Sequence, residues 1–227
     1  MRQQFHDELQ FISDQMVEMT RLVGSAIARA TTALLDADLN LAESVITADE
    51  AIDALQLELE ERAIGVLALQ QPVATDLRLV VTALRMSADL ERMGDLARHV
   101  AKLARLRYPS SAIPAELRAT ILQMGQVAER IVAKAGSVIA SRDLDLAGQL
   151  EVDDDVMDEL HRGLFTTLLA DDWEHGVETA VDVTLCGRYY ERFADHAVSV
   201  ARRVVYLATG ERSSDVTGAS NRPMRSA

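Results

Sequence analysis

Two acidic motifs, one hundred residues apart, contain the side chains of this chain that are best suited to chemistry. Each motif places a Glu and an Asp at positions i and i+4: Glu91 with Asp95, and Glu191 with Asp195. On a helix this spacing brings both side chains to one face, with Cβ atoms about 5–6 Å apart. Carboxylates held this close repel each other, so each pair needs a bound cation, a shared proton or full solvation.

A second pair of aspartates precedes each motif. Asp49 and Asp53 precede the first one, and the match between residues 38–42 and 143–147 gives Asp154 and Asp158 the same register in an internal repeat. Antiparallel neighbouring helices would bring each aspartate pair against the Glu/Asp motif of its own half. Four carboxylates suit a hard cation such as Fe, Mn, Mg or Ca. The sequence therefore predicts a metal site in each half, with these ligands: Asp49, Asp53, Glu91, Asp95, Asp154, Asp158, Glu191 and Asp195.

An apolar stripe leads up to the first motif, and it consists of Leu77, Val81, Leu84 and Ala88. Glu91 continues this stripe at helical spacing, which predicts that the carboxylates face apolar surroundings, where unpaired charge is costly. Alternatively, the acidic face is solvated, or the arginines of the two motifs, Arg92 and Arg192, neutralise carboxylates of a neighbouring helix. Three histidines beside the motifs are weaker candidate ligands: His99, His161 and His196.

Six long amphipathic helices are predicted to position these residues, because apolar side chains recur at steps of three and four along most of the chain. An Asp before the second helix can cap it, and Pro72 ends it. The predicted helices cover residues 5–35, 39–69, 74–106, 115–140, 144–169 and 177–208. We predict an all-α fold of two tandem three-helix bundles, residues 1–108 and 114–210, and a disordered tail over 211–227.

Composition and charge exclude several classes of function. The chain has 36 acidic and 23 basic side chains and a net charge of −13, which argues against nucleic acid as a partner. The single cysteine, Cys186, excludes a disulfide framework. There is no apolar secretory signal and no apolar run long enough for a transmembrane helix, so we expect a cytoplasmic protein. Neither a Gly-rich phosphate loop nor a Ser/His/Asp arrangement is present, so we expect no enzyme of those types.

Nearly the whole chain outside the tail resembles the PhoU family. The resemblance depends on the segment Gln-Pro-Val-Ala-Thr-Asp-Leu-Arg at residues 71–78, on Asp-Leu-Glu-Arg-Met-Gly-Asp at 89–95, and on Tyr-Glu-Arg-Phe-Ala-Asp-His at 190–196. It implies acidic motifs that bind multinuclear iron or other metals, with Mn, Zn and Mg as alternatives, and these motifs fall on the eight residues named above. Ala194 stands where the family motif usually has Gly, so metal binding is expected to be firmer in the first half.

The resemblance also implies a role. Members of the family are cytoplasmic negative regulators of phosphate uptake and of the phosphate-starvation response. They are adaptors, not enzymes, and couple the ATPase subunit of a phosphate ABC transporter to a membrane sensor histidine kinase. For this chain it implies a homodimer that reaches the membrane only through those partners.

Two other functions are compatible with the pattern. One is an enzyme of the di-iron carboxylate class, but that class uses Glu-x-x-His pairs, and none stands at the proposed sites. The other is a purely structural helical scaffold with solvated acidic faces. Such a scaffold would bind no metal and would tolerate the loss of Glu91 and Asp95.

Overall fold

The structure of the protein is a computed structural model that describes residues 2–210. Over these residues the protein is all-helical. The predicted tail over 211–227 lies outside them. Within this range the chain forms six α-helices and a short 3-10 turn. Each helix begins and ends within three residues of its predicted bounds, which confirms the fold class. The helices are α1 (Arg2–Asp36), α2 (Leu39–Gln70), α3 (Ala74–Arg107), α4 (Arg118–Ser141), α5 (Leu144–Leu168) and α6 (Gly176–Thr209), and the turn is Ala115–Leu117.

The two copies of the repeat start their second helix in the same way. Asp38 caps α2 by accepting a hydrogen bond from the backbone N–H of Leu41 at 3.0 Å. Asp143 caps α5 by accepting from the N–H groups of Asp145 and Leu146 at 2.9 and 3.0 Å. A side chain that satisfies free N–H groups at a helix start contributes about 1 kcal/mol. Both aspartate pairs are therefore held at a fixed distance from a capped helix end.

The helices form two three-helix bundles, because α1, α2 and α3 contact one another and so do α4, α5 and α6. The bundles join through α1 against α4 and α3 against α6, so α2 and α5 lie on the outside. One continuous apolar core runs through both halves, from Ile12 and Met19 in α1 to Tyr190 and Phe193 in α6. The acidic motifs of α3 and α6 thus belong to helices that pack on both their own bundle and the other one.

A pseudo-two-fold axis relates the halves, as reciprocal contacts between α1 and α4 show. A Cβ atom added at Gly125 would lie 2.6 Å from Cγ2 of Thr31, and one added at Gly136 would lie 2.5 Å from Oγ1 of Thr20. Adding 105 to Thr20 and Thr31 gives Gly125 and Gly136, so the two contacts exchange under the repeat. The glycines allow the two helices to approach closely at both places.

Helices α3 and α6 run antiparallel. Asp89, near the middle of α3, accepts a hydrogen bond from Arg203 in the last part of α6 at 2.8 Å, and Arg107 at the end of α3 donates to Asp182 near the start of α6 at 2.5 Å. The start of α3 therefore lies beside the end of α6. As a consequence the α2–α3 and α5–α6 connections lie at opposite ends of the molecule.

The apolar stripe of α3, which was predicted to face apolar surroundings, lies mostly on the outer side of the helix, although Leu84 packs partly against the core. Leu77 is 41% exposed and Val81 is 36% exposed. The core face is the neighbouring row, which includes Val80, Ala83 and Leu90. The prediction was wrong because α3 packs against three helices, and periodicity alone did not identify which of its apolar rows is buried.

Within residues 2–210, no helix is long and apolar enough to cross a membrane.

Candidate metal centre

In the first half, an arginine already joins two of the predicted ligands. Asp49 of α2 is almost completely buried, and its Oδ2 lies 2.5 Å from Nη1 of Arg98 in α3. The same guanidinium donates to Asp95, which also accepts from Arg92 at 2.9 Å. The contact between Arg98 and Asp49 is an ion pair without hydrogen-bond alignment, so this carboxylate oxygen accepts no hydrogen bond. A positive charge therefore already occupies the space between Asp49 and Asp95.

Glu91 and Asp53 complete the first cluster. Burial raises the pKa of Glu91, and the charges of Asp95 and Asp53 raise it further against the opposing effect of Arg92. Burial likewise raises the pKa of Asp49, although Arg98 opposes the shift. The four predicted ligands of this half are thus electrostatic neighbours, as the sequence predicted, but their negative charge is partly neutralised within the protein.

The second cluster has less internal compensation. Burial raises the pKa of Asp154 to about 6, and the nearby charges of Asp195 and Asp158 add to this effect. The position equivalent to Arg98, one hundred residues later, is Val198, which is buried and carries no charge. Arg202 opposes the rise, but it also pairs with Glu151 at 2.9 Å. The carboxylates of this half therefore repel one another with weaker neutralisation.

Two buried polar atoms beside the second cluster have no hydrogen-bond partner. Glu191 pairs with Arg188 through Oε1, which leaves its buried Oε2 without one. His161 of α5 has a buried Nε2 that is also unpaired. Burial and the charge of Arg188 lower the pKa of His161, so its imidazole is neutral and retains a lone pair. Unpaired buried acceptors are costly, and a cation would satisfy them.

The donor set of the second half therefore fits a hard or borderline cation. Its members are carboxylates that repel one another, an unpaired carboxylate oxygen and a neutral imidazole nitrogen. In the first half the donor chemistry is similar, but Arg98 supplies the cation from within the chain. Among residues 2–210, no three His, Cys, Asp or Glu side chains are already gathered as a metal site. The carboxylates are neighbours rather than a formed coordination shell.

The Gly-to-Ala difference between the motifs lies at this same place. A Cβ atom added at Gly94 would lie 2.9 Å from Cδ1 of Ile52 and 3.1 Å from Oδ1 of Asp49. The equivalent Ala194 is fully buried in the second half and is accommodated there. The glycine thus allows α2 and its Asp49 to approach α3 closely. Sequence reasoning favoured the first half for metal, whereas the distribution of charge favours the second.

The three histidines that were weaker candidate ligands make different contacts. The ring of His99 lies on Tyr189, with centroids 5.2 Å apart, and its Nδ1 is 2.7 Å from the backbone oxygen of Asp95. His196 contacts Asp89 at 3.1 Å, across the junction between the halves. Of these three histidines, only His161 has a buried ring nitrogen without a hydrogen-bond partner. The alternative in which Arg92 neutralises a neighbouring helix does not apply, because Arg92 pairs with Asp95 of its own helix.

Sequence reasoning missed a network around Asp89 that joins the halves. This carboxylate of α3 accepts hydrogen bonds from Ser199 at 3.1 Å and from Arg203 at 2.8 Å, and it also contacts His196. Burial alone would raise the pKa of Asp89, but its partners hold it below the ordinary value. The signal was an acidic residue two positions before Glu91, yet its partners depend on how α3 meets α6.

Comparison with known proteins agrees with this architecture. The profile of the PhoU domain matches twice, at residues 16–104 and 121–204. The chain belongs to the PhoU family. It is 52% identical over 210 residues to the phosphate-specific transport system accessory protein PhoU homolog 2 of Mycobacterium tuberculosis, a match that covers 92% of this chain and 99% of that relative.

Two solved structures with the PhoU fold are similar over most of this chain. The PhoU crystal structure from Pseudomonas aeruginosa is 29% identical and has a TM-score of 0.80, covering 91% of this chain and 100% of that one. The phosphate transport system regulatory protein PhoU from Streptococcus pneumoniae is 28% identical, with a TM-score of 0.82 and coverages of 91% and 98%. The Mycobacterium tuberculosis relative is named an accessory protein and the Streptococcus pneumoniae protein a regulatory protein, in agreement with the prediction that this PhoU-family chain is not an enzyme.

Proposed function

We propose that this protein restrains phosphate uptake and the phosphate-starvation response when phosphate is abundant. It would do so as an adaptor between the ATPase subunit of a phosphate ABC transporter and a membrane sensor histidine kinase. The observation that carries the proposal is the 52% identity, over 92% of the chain, to a protein named an accessory of the phosphate-specific transport system.

The architecture supports an adaptor in two ways. The bundles share one core and join along two pairs of helices, which gives a platform about 50 Å long with extended outer faces on α2 and α5. The one cysteine is fully buried, and burial raises the pKa of its thiol, so Cys186 is not a reactive nucleophile. A homodimer, as the family resemblance implies, would double the surfaces available to partners.

The adaptor function would be joined to a metal cation held mainly by the second half. Its ligands would come from Asp154, Asp158, Glu191 and Asp195, with His161 as an additional donor. The cation would add positive charge where Arg188 and Arg202 leave these side chains only partly neutralised, and it would tie α5 to α6. In the first half, Arg98 would take that role for Asp49 and Asp95. Iron, Mn, Zn and Mg all accept ligands of this kind.

Expression of phosphate-starvation genes tests the regulatory function. In a host without other PhoU-family genes, deleting this gene should switch a starvation-promoter reporter on in phosphate-rich medium, by at least about tenfold, and a plasmid copy should restore repression. A strain with a deleted phosphate transporter serves as the positive control for induction. Unchanged reporter expression in the deletion strain would overturn the proposal.

A further inference from the structure

The α5–α6 end of the molecule carries an apolar cleft of about 610 Å³ that the carboxylate clusters do not use. Its walls come from the end of α5, the following loop and the first turns of α6. Two wall residues, Leu169 and Val177, are each 81% exposed, an unusual exposure for large apolar side chains. We call this surface the tip cleft, and its principal lining residues are Phe165, Leu169, Trp173, Val177, Val181 and Leu185.

Trp173 gives the tip cleft a fixed wall. Its indole N–H donates to the backbone oxygen of Gly176 at 3.0 Å, and its ring packs edge-on against His175 with centroids 4.8 Å apart. Its backbone N–H donates to Ala170 at 3.1 Å. The ring is therefore held by the loop itself, and the concave shape does not depend on a bound molecule.

The opposite end of the molecule offers a comparison within the same chain. There the α2–α3 connection also exposes apolar side chains, including Val73 at 74% and Leu77 at 41%. Its loop, Gln-Gln-Pro-Val at residues 70–73, contains no aromatic residue and no charge. The pseudo-two-fold axis thus places an equivalent apolar surface at the opposite end of the molecule. That surface lacks both the tryptophan and the acidic loop described next.

Acidic side chains surround Trp173 in the loop of the tip cleft. Asp171, Asp172 and Glu174 are exposed, and within residues 2–210 none of them has an ion-pair partner. The whole chain, which includes this loop, carries a net charge of −13. An apolar depression bordered by unpaired carboxylates favours a ligand that combines apolar and cationic groups.

We propose that the tip cleft docks a segment of a partner protein that presents apolar side chains flanked by Lys or Arg, as one face of a basic amphipathic helix does. Apolar side chains of such a helix would fill the space beside Trp173, and its cations would meet Asp171, Asp172 and Glu174. An anionic membrane surface and a second copy of this chain both bring negative charge to the acidic loop, which disfavours them.

The chain's own C-terminal residues are also a poor occupant. Helix α6 ends at Thr209, roughly 40 Å along the helix from Val181. The 17 residues that follow Gly210 could span at most about 60 Å when fully extended, so length does not exclude them. This segment does contain arginines, but Val216 and Met224 are its only large apolar side chains, so it offers few apolar groups to fill the cleft.

The inference deepens the proposed adaptor function and rests on it, because it assumes that the cell contains a partner protein. Its test uses only the purified protein and synthetic peptides. Trp173 is the single tryptophan of the chain, so its fluorescence reports directly on the cleft. The probe is a 14-residue helical peptide of leucine and lysine, and the control peptide has glutamate in place of every lysine. We expect a saturable change in Trp173 emission with the lysine peptide and none with the glutamate peptide.

Matched variants locate the binding. Val177→Asp and Leu77→Asp each add one negative charge at equivalent exposed positions of the two tips. Val177→Asp should weaken binding of the lysine peptide at least tenfold, whereas Leu77→Asp should leave it within about twofold. The triple variant Asp171→Asn, Asp172→Asn, Glu174→Gln keeps the apolar walls and should weaken binding about tenfold. Circular dichroism checks that each variant retains its helices.

Four results would overturn the proposal: no emission change with the lysine peptide; equal losses for Val177→Asp and Leu77→Asp; equal binding of the glutamate peptide; or an emission change with vesicles of anionic lipid at least as large as that with the lysine peptide. Sedimentation of the free protein tests whether a second copy of the chain occupies the cleft. Self-association that Val177→Asp abolishes would assign the cleft to the dimer and also overturn the proposal. Absence of peptide binding would not affect the result of the starvation-gene experiment, and unchanged reporter expression would not affect peptide binding.

Discussion

Arg98 of α3 reaches 2.5 Å from the buried carboxylate of Asp49 on α2. The same guanidinium binds Asp95, so one arginine neutralises two of the four acidic side chains of the first half. The repeat places Val198 at the equivalent position of the second half. Two clusters with the same types of acidic residue therefore differ in the charge at their centre, and we propose that this difference determines which of them would bind an external cation.

Replacing Arg98 by Leu should destabilise the protein, because Asp49 would remain buried without a partner. Removal of one member of a buried ion pair costs about 3–5 kcal/mol, and the partial exposure of Arg98 reduces the expected loss to about 2 kcal/mol. Urea denaturation followed by circular dichroism measures the free energy of unfolding. Adding Mn²⁺ should recover part of the loss, since the first cluster would then resemble the second.

The exposed arginine of the second motif provides the control. Arg192 is exposed and forms no ion pair within residues 2–210, so Arg192→Leu should change the free energy of unfolding by less than about 0.5 kcal/mol. If Arg98→Leu is no more destabilising than Arg192→Leu, the ion pair with Asp49 does not stabilise the first half.

Asp154→Asn should stabilise the metal-free protein at neutral pH. The folded pKa of Asp154, about 6, is above its unfolded value, so its ionisation destabilises the fold as the pH rises through 6. After allowance for solvent screening, the amide should add about 1–2 kcal/mol at pH 7.5 and almost nothing at pH 4. Urea denaturation in EDTA at the two pH values measures the difference.

Asp155→Asn is the matched control for that prediction, because Asp155 is the next residue in α5 and is exposed. It should not reproduce the gain at pH 7.5. A loss of stability in Asp154→Asn at pH 7.5 without metal would show that this carboxylate has a favourable partner, contrary to the structure.

Asp89→Asn should weaken the contact between α3 and α6, since the amide cannot receive charge-assisted hydrogen bonds from Arg203 and His196. The folded pKa of Asp89 is lowered, so its contribution is present above the unfolded pKa of about 4 and is lost as the pH falls through the folded value. The difference between wild type and variant should be about 1–2 kcal/mol at pH 7 and should shrink below pH 4. Thermal unfolding across pH 3–7 checks this.

Glu151→Gln serves as the control for Asp89→Asn. Glu151 pairs with Arg202, but both side chains are more than half exposed, so this pair should contribute little at any pH. A similar loss in both variants would indicate a general effect of charge and not a specific junction between the halves.

The sequence was sufficient for the helices and for the neighbourhood of the carboxylates. Capping aspartates, Pro72 and the spacing of apolar residues defined the six helices, because these signals act within a few residues. The internal repeat paired Asp49 with the first motif and Asp154 with the second. Arg98 was also visible at i+3 from Asp95, yet its second contact crosses to α2 and depends on the packing of the helices.

The errors arose where a helix contacts several others. In α3 the stripe that begins at Leu77 has helical spacing, but the core row that contains Val80 is shifted by one position along the helix. The partners of Asp89 lie more than one hundred residues away, and no local pattern links them. The tip cleft was not predicted because its shape depends on the loop that holds Trp173.

Calorimetric titration of Mn²⁺ into metal-free wild type, Asp49→Asn and Asp154→Asn tests the central claim most directly, namely that the second half needs an external cation because the first contains its own. We predict that Asp49→Asn retains the affinity of wild type within about threefold, and that Asp154→Asn loses at least tenfold. The reverse order of the two variants, or no binding to the wild-type protein, would contradict it.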